Sequence, residues 1–95
     1  MMITKSQQKI ILETVSVHSP LKVGIFGSYA RGENHERSDL DILIEFDPAL
    51  DLLTIIGLEQ ELSEKLGIKV DLITARSVNP QLKSYIEKDF IQLVA

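Results

Sequence analysis

Apolar residues recur along the chain with two different spacings, and the change of spacing predicts where helices and strands lie. Across residues 3–17 four of them stand among polar residues, which predicts an amphipathic helix, at Ile3, Ile10, Ile11 and Val15. Ser19-Pro20 ends that helix, because a residue before proline disfavours the helical conformation. Residues 21–26 (LKVGIF) alternate and then run apolar, so they predict a short, largely buried strand.

The second predicted strand is followed by the longest predicted helix. Residues 39–46 (DLDILIEF) alternate between two faces, as a strand does. Asp47-Pro48 is a helix-start signal, with a capping acceptor before a proline in the first turn. The helix then carries apolar residues at steps of three and four, at Leu52, Ile55, Ile56, Leu62 and Leu66. Gly67 is its natural C-terminal stop.

The remaining residues predict one more strand, one more helix and a short tail strand. Residues 68–74 (IKVDLIT) form the third strand, Asn79-Pro80 opens the last helix, and residues 91–95 (IQLVA) add a short strand. That helix places Leu82, Ile86 and Phe90 on one face. The first two strands are joined by a short excursion and should be antiparallel, whereas a helical crossover makes the second and third parallel. We therefore expect an α/β (α+β) fold, a small mixed sheet of three to four strands with helices packed on it, in one domain spanning 1–95.

Composition excludes several classes of function. The 95 residues are 44% hydrophobic and 25% charged, and none is cysteine, so disulfides and thiolate metal sites are excluded and a reducing cytoplasm is favoured. No apolar run approaches the ~20 residues that span a membrane. The net charge is −4 and the lysines and arginines are scattered singly, which argues against a nucleic-acid-binding surface. We expect a cytoplasmic protein with neither a membrane nor a nucleic acid as partner.

Three aspartates are the candidate metal ligands. Asp39 and Asp41 share one face of the second strand, and Asp71 lies in an apolar strand, where burial of a charge is costly unless it is paired or bound to a metal. Two carboxylates at about 4 Å repel by roughly 4 kcal/mol at an effective dielectric near 20, and a divalent cation reverses that repulsion. A site made only of oxygen suits Mg²⁺ or Mn²⁺. The alternative is that Asp71 pairs with Lys22 or Arg76.

A Gly-Ser turn is the candidate phosphate site. Gly27-Ser28 closes the first apolar run and offers backbone N–H groups and a hydroxyl to an anion, ten residues before Asp39. Arg31 would neutralise a triphosphate, or else pair with Glu33 or Glu36 on the surface. Neither a Walker A loop nor a Gly-x-Gly-x-x-Gly motif is present.

These segments together resemble a known signature. Residues 27–32 (GSYARG), 38–41 (SDLD) and 70–72 (VDL) resemble that of the polymerase-β-like nucleotidyltransferase superfamily, in particular its minimal nucleotidyltransferase (MNT) branch. The resemblance covers nearly the whole chain. It implies an antitoxin of a HEPN/MNT toxin–antitoxin module, one that transfers AMP from ATP to a tyrosine of the HEPN toxin.

The resemblance also implies roles for single residues. Asp39 and Asp41 would bind both of two Mg²⁺ ions, and Asp71 would bind the catalytic one and help to deprotonate the acceptor. Gly27 and Ser28 would grip the triphosphate. Two alternatives stay open: a non-catalytic binding module that neutralises its partner by contact, and a nucleotidyltransferase that acts on a small hydroxylated acceptor.

The partner surface and the assembly are predicted less narrowly. Apolar residues of the last helix and tail are candidates for the toxin interface, although core packing explains them as well: Ile86, Phe90 and Ile91. A homo-oligomer and a hetero-oligomer with the toxin are both compatible with the sequence.

Overall fold

The computed structural model describes residues 3–94, which form a single four-stranded sheet with helices on both faces. The strands are β1 (Lys22–Phe26), β2 (Leu40–Glu45), β3 (Val70–Thr74) and β4 (Ile91–Val94). The helices are α1 (Lys5–Val15), α2 (Ser28–Arg31), α3 (Leu52–Leu66) and α4 (Pro80–Asp89). Single 3-10 turns at Ser16–His18 and Ala75–Ser77 follow α1 and β3. The tail strand lies where the sequence predicts it, and Met1, Met2 and Ala95 lie outside the described residues.

The sheet has the strand order β3-β2-β1-β4, and its directions are those predicted from the connections. β1 runs antiparallel to β2, β2 runs parallel to β3, and β4 runs antiparallel to β1. The mixed α+β sheet predicted from the sequence is therefore confirmed. None of the helices within residues 3–94 is long and apolar enough to cross a membrane.

Two hydrophobic cores of unequal size lie on the two faces of the sheet. The larger core joins β2 to α1 and α3 through fully or nearly fully buried residues, among them Leu40, Ile42, Ile44, Ile11 and Leu62. The smaller core lies on the opposite face, where Ile86 of α4 packs against Phe26 and Leu43. On this second face Asp71, at the start of β3, is exposed and Asp41, at the start of β2, is half-buried.

The start of α3 corrects one prediction. Asp47-Pro48 does not begin the helix: the two residues form a bend with a cis peptide bond, and α3 begins at Leu52. Asp51 is the actual cap, since its carboxylate accepts a hydrogen bond from the Thr54 amide at 2.7 Å. Asp51 directly precedes Leu52, the first apolar residue of the helical pattern, and a capping residue stands immediately before the first residue of its helix.

The end of α4 corrects a second prediction, on the partner surface. Ile86 is only 2% exposed and belongs to the core, and Phe90 is extended beyond the last helical residue, Asp89. The Phe90 ring lies against Gly24, where a Cβ atom would overlap it. Phe90 and Ile91 are only partly exposed and pack against the two cores. Core packing thus explains Ile86, whereas an interface at the partly exposed Phe90 and Ile91 stays a prediction.

Candidate active site

Three carboxylates lie on one face of the sheet, at the end of the sheet where β2 and β3 begin. The parallel register sets Asp41 directly opposite Asp71, so the two side chains leave the same face. Asp39 precedes Asp41 by two residues and is half-buried beside it, with its Oδ2 atom 3.9 Å from Lys69 Nζ. The structure thus places the three aspartates that the sequence singles out on one face of the sheet, near one another.

Burial and neighbouring charges both act on the Asp41 carboxyl. Burial and, after it, the neighbouring charges of Asp71 and Asp39 together raise the pKa of the Asp41 carboxyl to about 6. The positive charge of Arg31 acts the other way and lowers it. Without a bound cation, the ionised form of Asp41, the central carboxylate of the cluster, is therefore destabilised.

Asp71 is exposed, so the prediction that it is buried is wrong. β3 is an edge strand, and Asp71 is exposed between the buried Val70 and Leu72. Within residues 3–94 Asp71 forms an ion pair with neither Lys22 nor Arg76, the alternative that the sequence left open. Nor do three acidic or histidine side chains of the described residues converge closely enough to hold a metal ion in this conformation. The donor chemistry nevertheless fits a hard cation, because every candidate ligand is a carboxylate oxygen.

Gly27 lies against the central carboxylate. Its backbone angles, φ 76° and ψ −153°, belong to a region open essentially only to glycine. A Cβ atom at this position would overlap Asp41 Oδ2. Ser28, half-buried, begins α2 directly after it, and Tyr29 anchors the short helix in the larger core. The predicted Gly-Ser turn therefore lies in contact with the predicted Asp-x-Asp pair.

Arg31 connects the end of α2 to the end of α4. Its Nε atom donates to Glu33 Oε1 at 2.6 Å and its Nη1 atom to Asp89 Oδ2 at 3.0 Å. These two hydrogen bonds, helped by one to Tyr85, raise the pKa of the guanidinium above its usual value, so it stays charged. The pair with Glu33 is one that the sequence suggested. No sequence signal identified Asp89, since 58 positions separate it from Arg31.

The pH dependence of stability should carry the signature of Asp41. Because its folded-state pKa of about 6 exceeds the ordinary value of 3.8, the folded protein binds a proton more tightly than the unfolded chain does. The free energy of unfolding should therefore fall as the pH rises from about 4 to about 6. Urea denaturation with a chelator present, at a series of pH values, checks this. Asp41→Asn should remove that part of the slope, and an unchanged slope in the variant would contradict the assignment.

The fold and the acidic cluster together define a small α+β protein of the nucleotidyltransferase type. Residues 7–93 match the family model described as a nucleotidyltransferase domain, and the chain belongs to this family. The prediction of a nucleotidyltransferase enzyme is thereby confirmed.

Two curated relatives carry more specific names. A protein of Methanocaldococcus jannaschii, provisionally named a protein adenylyltransferase, is 49% identical over 92 residues, which are 96% of this chain and 91% of that protein. The protein adenylyltransferase MntA of Thermococcus cleftensis is 45% identical over 73 residues, 77% of this chain and 70% of that protein. The similarity thus extends through the site region in proteins of closely similar length.

A solved structure shares the same architecture. A chain from the crystal structure of a toxin–antitoxin complex with AMP-PNP aligns with a TM-score of 0.84 at 28% identity. The alignment covers 90% of this chain and 71% of that one. AMP-PNP is an analogue of ATP, so that protein was crystallised together with a nucleotide and a partner.

Proposed function

We propose that this protein is an antitoxin that transfers AMP from ATP to a tyrosine hydroxyl of a HEPN-type toxin. The observation that carries the proposal is the parallel register that sets Asp41 opposite Asp71, with Asp39 on the same face and Gly27 in contact with Asp41. The relatives named protein adenylyltransferase and the toxin–antitoxin complex that shares the fold support the transferred group and the kind of partner.

Mg²⁺ is the cofactor that the donor set fits, with Mn²⁺ as a substitute. Asp39 and Asp41 would hold both of two ions, and Asp71 would hold the one nearest the acceptor. When bound, the ions would supply positive charge to the attacking oxygen and to the departing phosphates. Paired positions on neighbouring strands lie about 4.8 Å apart, so side-chain rotation is enough to bring the Asp41 and Asp71 carboxylates to a common ligand.

The chain's own residues position the reactants. The Ser28 amide and hydroxyl, beside the bare Gly27 backbone, would hold phosphate oxygens. Arg31 would add its positive charge by exchanging its bonds to Glu33 and Asp89 for bonds to phosphate. Asp71 would accept the proton of the tyrosine hydroxyl as its oxygen attacks the α-phosphorus and pyrophosphate leaves. Because Asp71 is exposed, a hydroxyl carried by another protein can reach it. The exposure that the sequence did not predict therefore suits a macromolecular acceptor.

The exposed apolar surface supports a protein partner. Leu52 and Leu53, at the start of α3, are 72% and 82% exposed, and Ile56 follows on the same helix. Contiguous exposed apolar side chains are typical of protein–protein contact sites. A pure binding module would gain nothing from a repulsive carboxylate cluster, so the site favours the enzymatic alternative over neutralisation by contact.

Transfer of label to the partner tests the proposal. The protein, purified together with a HEPN-type toxin, should move label from α-labelled ATP to the toxin in the presence of Mg²⁺. The double variant Asp39→Asn/Asp41→Asn should lose this transfer, because the carboxylates that would hold the metal are gone. Glu45→Gln, on the same strand and face but outside the cluster, is the matched control and should retain it.

Two outcomes would contradict the proposal. If the double variant protects growing cells from the toxin as well as the wild type does, neutralisation occurs by contact alone. If label moves to a small hydroxylated compound and never to the toxin, the acceptor is not a protein.

A further inference from the structure

The outer edge of β3 is anchored by side chains of α3. The Val70 amide donates to Ser63 Oγ at 2.9 Å, and the Leu72 amide donates to Glu59 Oε2 at 2.8 Å. Both amides point away from β2, on the side of the strand that has no neighbouring strand. The residue between them is Asp71.

The anchor itself is held firmly. Glu59 and Ser63 are one helical turn apart and so lie on the same face of α3. The Ser63 hydroxyl also donates to the Glu59 carbonyl at 2.9 Å, so it bridges the helix backbone and the strand. Leu58 and Leu62, on the same helix, are buried in the larger core. Movement of this edge of β3 therefore requires movement of a packed helix.

Asp71 depends on its backbone for its position. Its side chain is exposed, whereas Val70 and Leu72 on either side are buried. The two anchored amides thus lie immediately on either side of the one residue of β3 that carries a carboxylate.

We infer that Glu59 and Ser63 are positioning residues that fix β3 through the Val70 and Leu72 amides, and so hold Asp71 opposite Asp41 for divalent-metal binding. The inference rests on the proposed function, because it takes Asp71 as a metal ligand. It assigns Glu59 a role through its hydrogen bond rather than through its charge.

Metal binding without nucleotide tests the inference directly. The probe is Mn²⁺, titrated into the full chain and followed by the electron paramagnetic resonance signal of the free ion. Glu59→Ala should weaken Mn²⁺ binding by about tenfold, the low end for residues that support a ligand. It should also speed hydrogen exchange at the Leu72 amide. Ser63→Ala should act in the same direction, with faster exchange at Val70.

Two further variants separate the hydrogen bond from other effects. Glu59→Gln keeps a side-chain carbonyl acceptor but loses the charge, so it should restore Mn²⁺ affinity to nearly the wild-type value. Glu64→Ala, on the same helix and without a hydrogen bond to β3 among the described residues, should leave both affinity and amide exchange unchanged.

Several results would overturn the inference. One is a Mn²⁺ affinity of Glu59→Ala equal to that of Glu64→Ala. A second is a Mn²⁺ affinity weakened as much in Glu59→Gln as in Glu59→Ala. A third is a lowered thermal midpoint as the only change in Glu59→Ala. If Glu59→Ala does not fold, Ser63→Ala decides by the same criteria. Asp71→Asn, titrated in parallel, shows which statement fails. If Asp71→Asn leaves the Mn²⁺ affinity unchanged, Asp71 is not a ligand, and both the proposed metal site and the inference about Glu59 and Ser63 are overturned. If Asp71→Asn weakens the Mn²⁺ affinity but Glu59→Ala does not, only the inference is overturned.

Discussion

Asp41→Asn is expected to abolish nucleotidyl transfer and, at the same time, to make the metal-free protein more stable. Loss of a central ligand should lower the transfer rate by on the order of 10³-fold. The pKa of about 6 reflects the burial of the ionised Asp41 carboxylate and its repulsion by Asp71 and Asp39. Its removal should raise the free energy of unfolding near neutral pH by about 1–2 kcal/mol, less than the full pKa shift implies because solvent screens the site.

The two opposite effects are measured on the same preparation. Transfer is followed with α-labelled ATP, and stability by urea denaturation with a chelator present. Glu45→Gln is the control and should change neither quantity greatly. A variant that loses stability as well as activity would contradict the expected stabilisation and would show that Asp41 supports the fold.

Gly27→Ala is expected to cost both the stability and the transfer activity of this protein. The new Cβ atom would be strained at the backbone angles of Gly27 and would overlap Asp41 Oδ2. We expect a loss of about 2–4 kcal/mol in the free energy of unfolding. Because Asp41 can escape the overlap only by moving, transfer activity should also be lost in the molecules that stay folded.

Gly67→Ala is the matched control, because Gly67 also has a positive φ, 68°, but has open space around its Cβ position. It should cost about 1 kcal/mol from backbone strain alone and retain full activity per folded molecule. If the two glycine variants lose the same stability and both remain active, the contact between Gly27 and Asp41 has no part in the chemistry.

The sequence was sufficient to predict the strand directions and the residues that lie beside the acidic cluster. Strand direction follows from the length of each connection, and side-chain alternation then fixes the face of Asp39 and Asp41. The same alternation places Asp71 on that face once β3 pairs with β2. These are local or nearly local rules, and this is why they succeed.

The errors arise where a rule depends on distant packing. The apolar residues around Asp71 suggest a strand buried on both faces, but β3 is an edge strand. The residues of a single strand do not determine its position in the sheet. The contact between Arg31 and Asp89 joins segments that no local pattern relates. Asp47 and Asp51 are equally good capping residues, and only their distance from the apolar spacing distinguishes them.

The hydrogen bonds of Glu59 and Ser63 also determine how another chain can approach. An unpaired strand edge invites a peptide to add as a further strand, through its free amides. At β3 the Val70 and Leu72 amides are already taken by α3, so strand addition there would have to displace two hydrogen bonds. A partner that adds a strand at the β3 edge would therefore compete with α3, whereas Asp71 stays exposed on the face of the sheet.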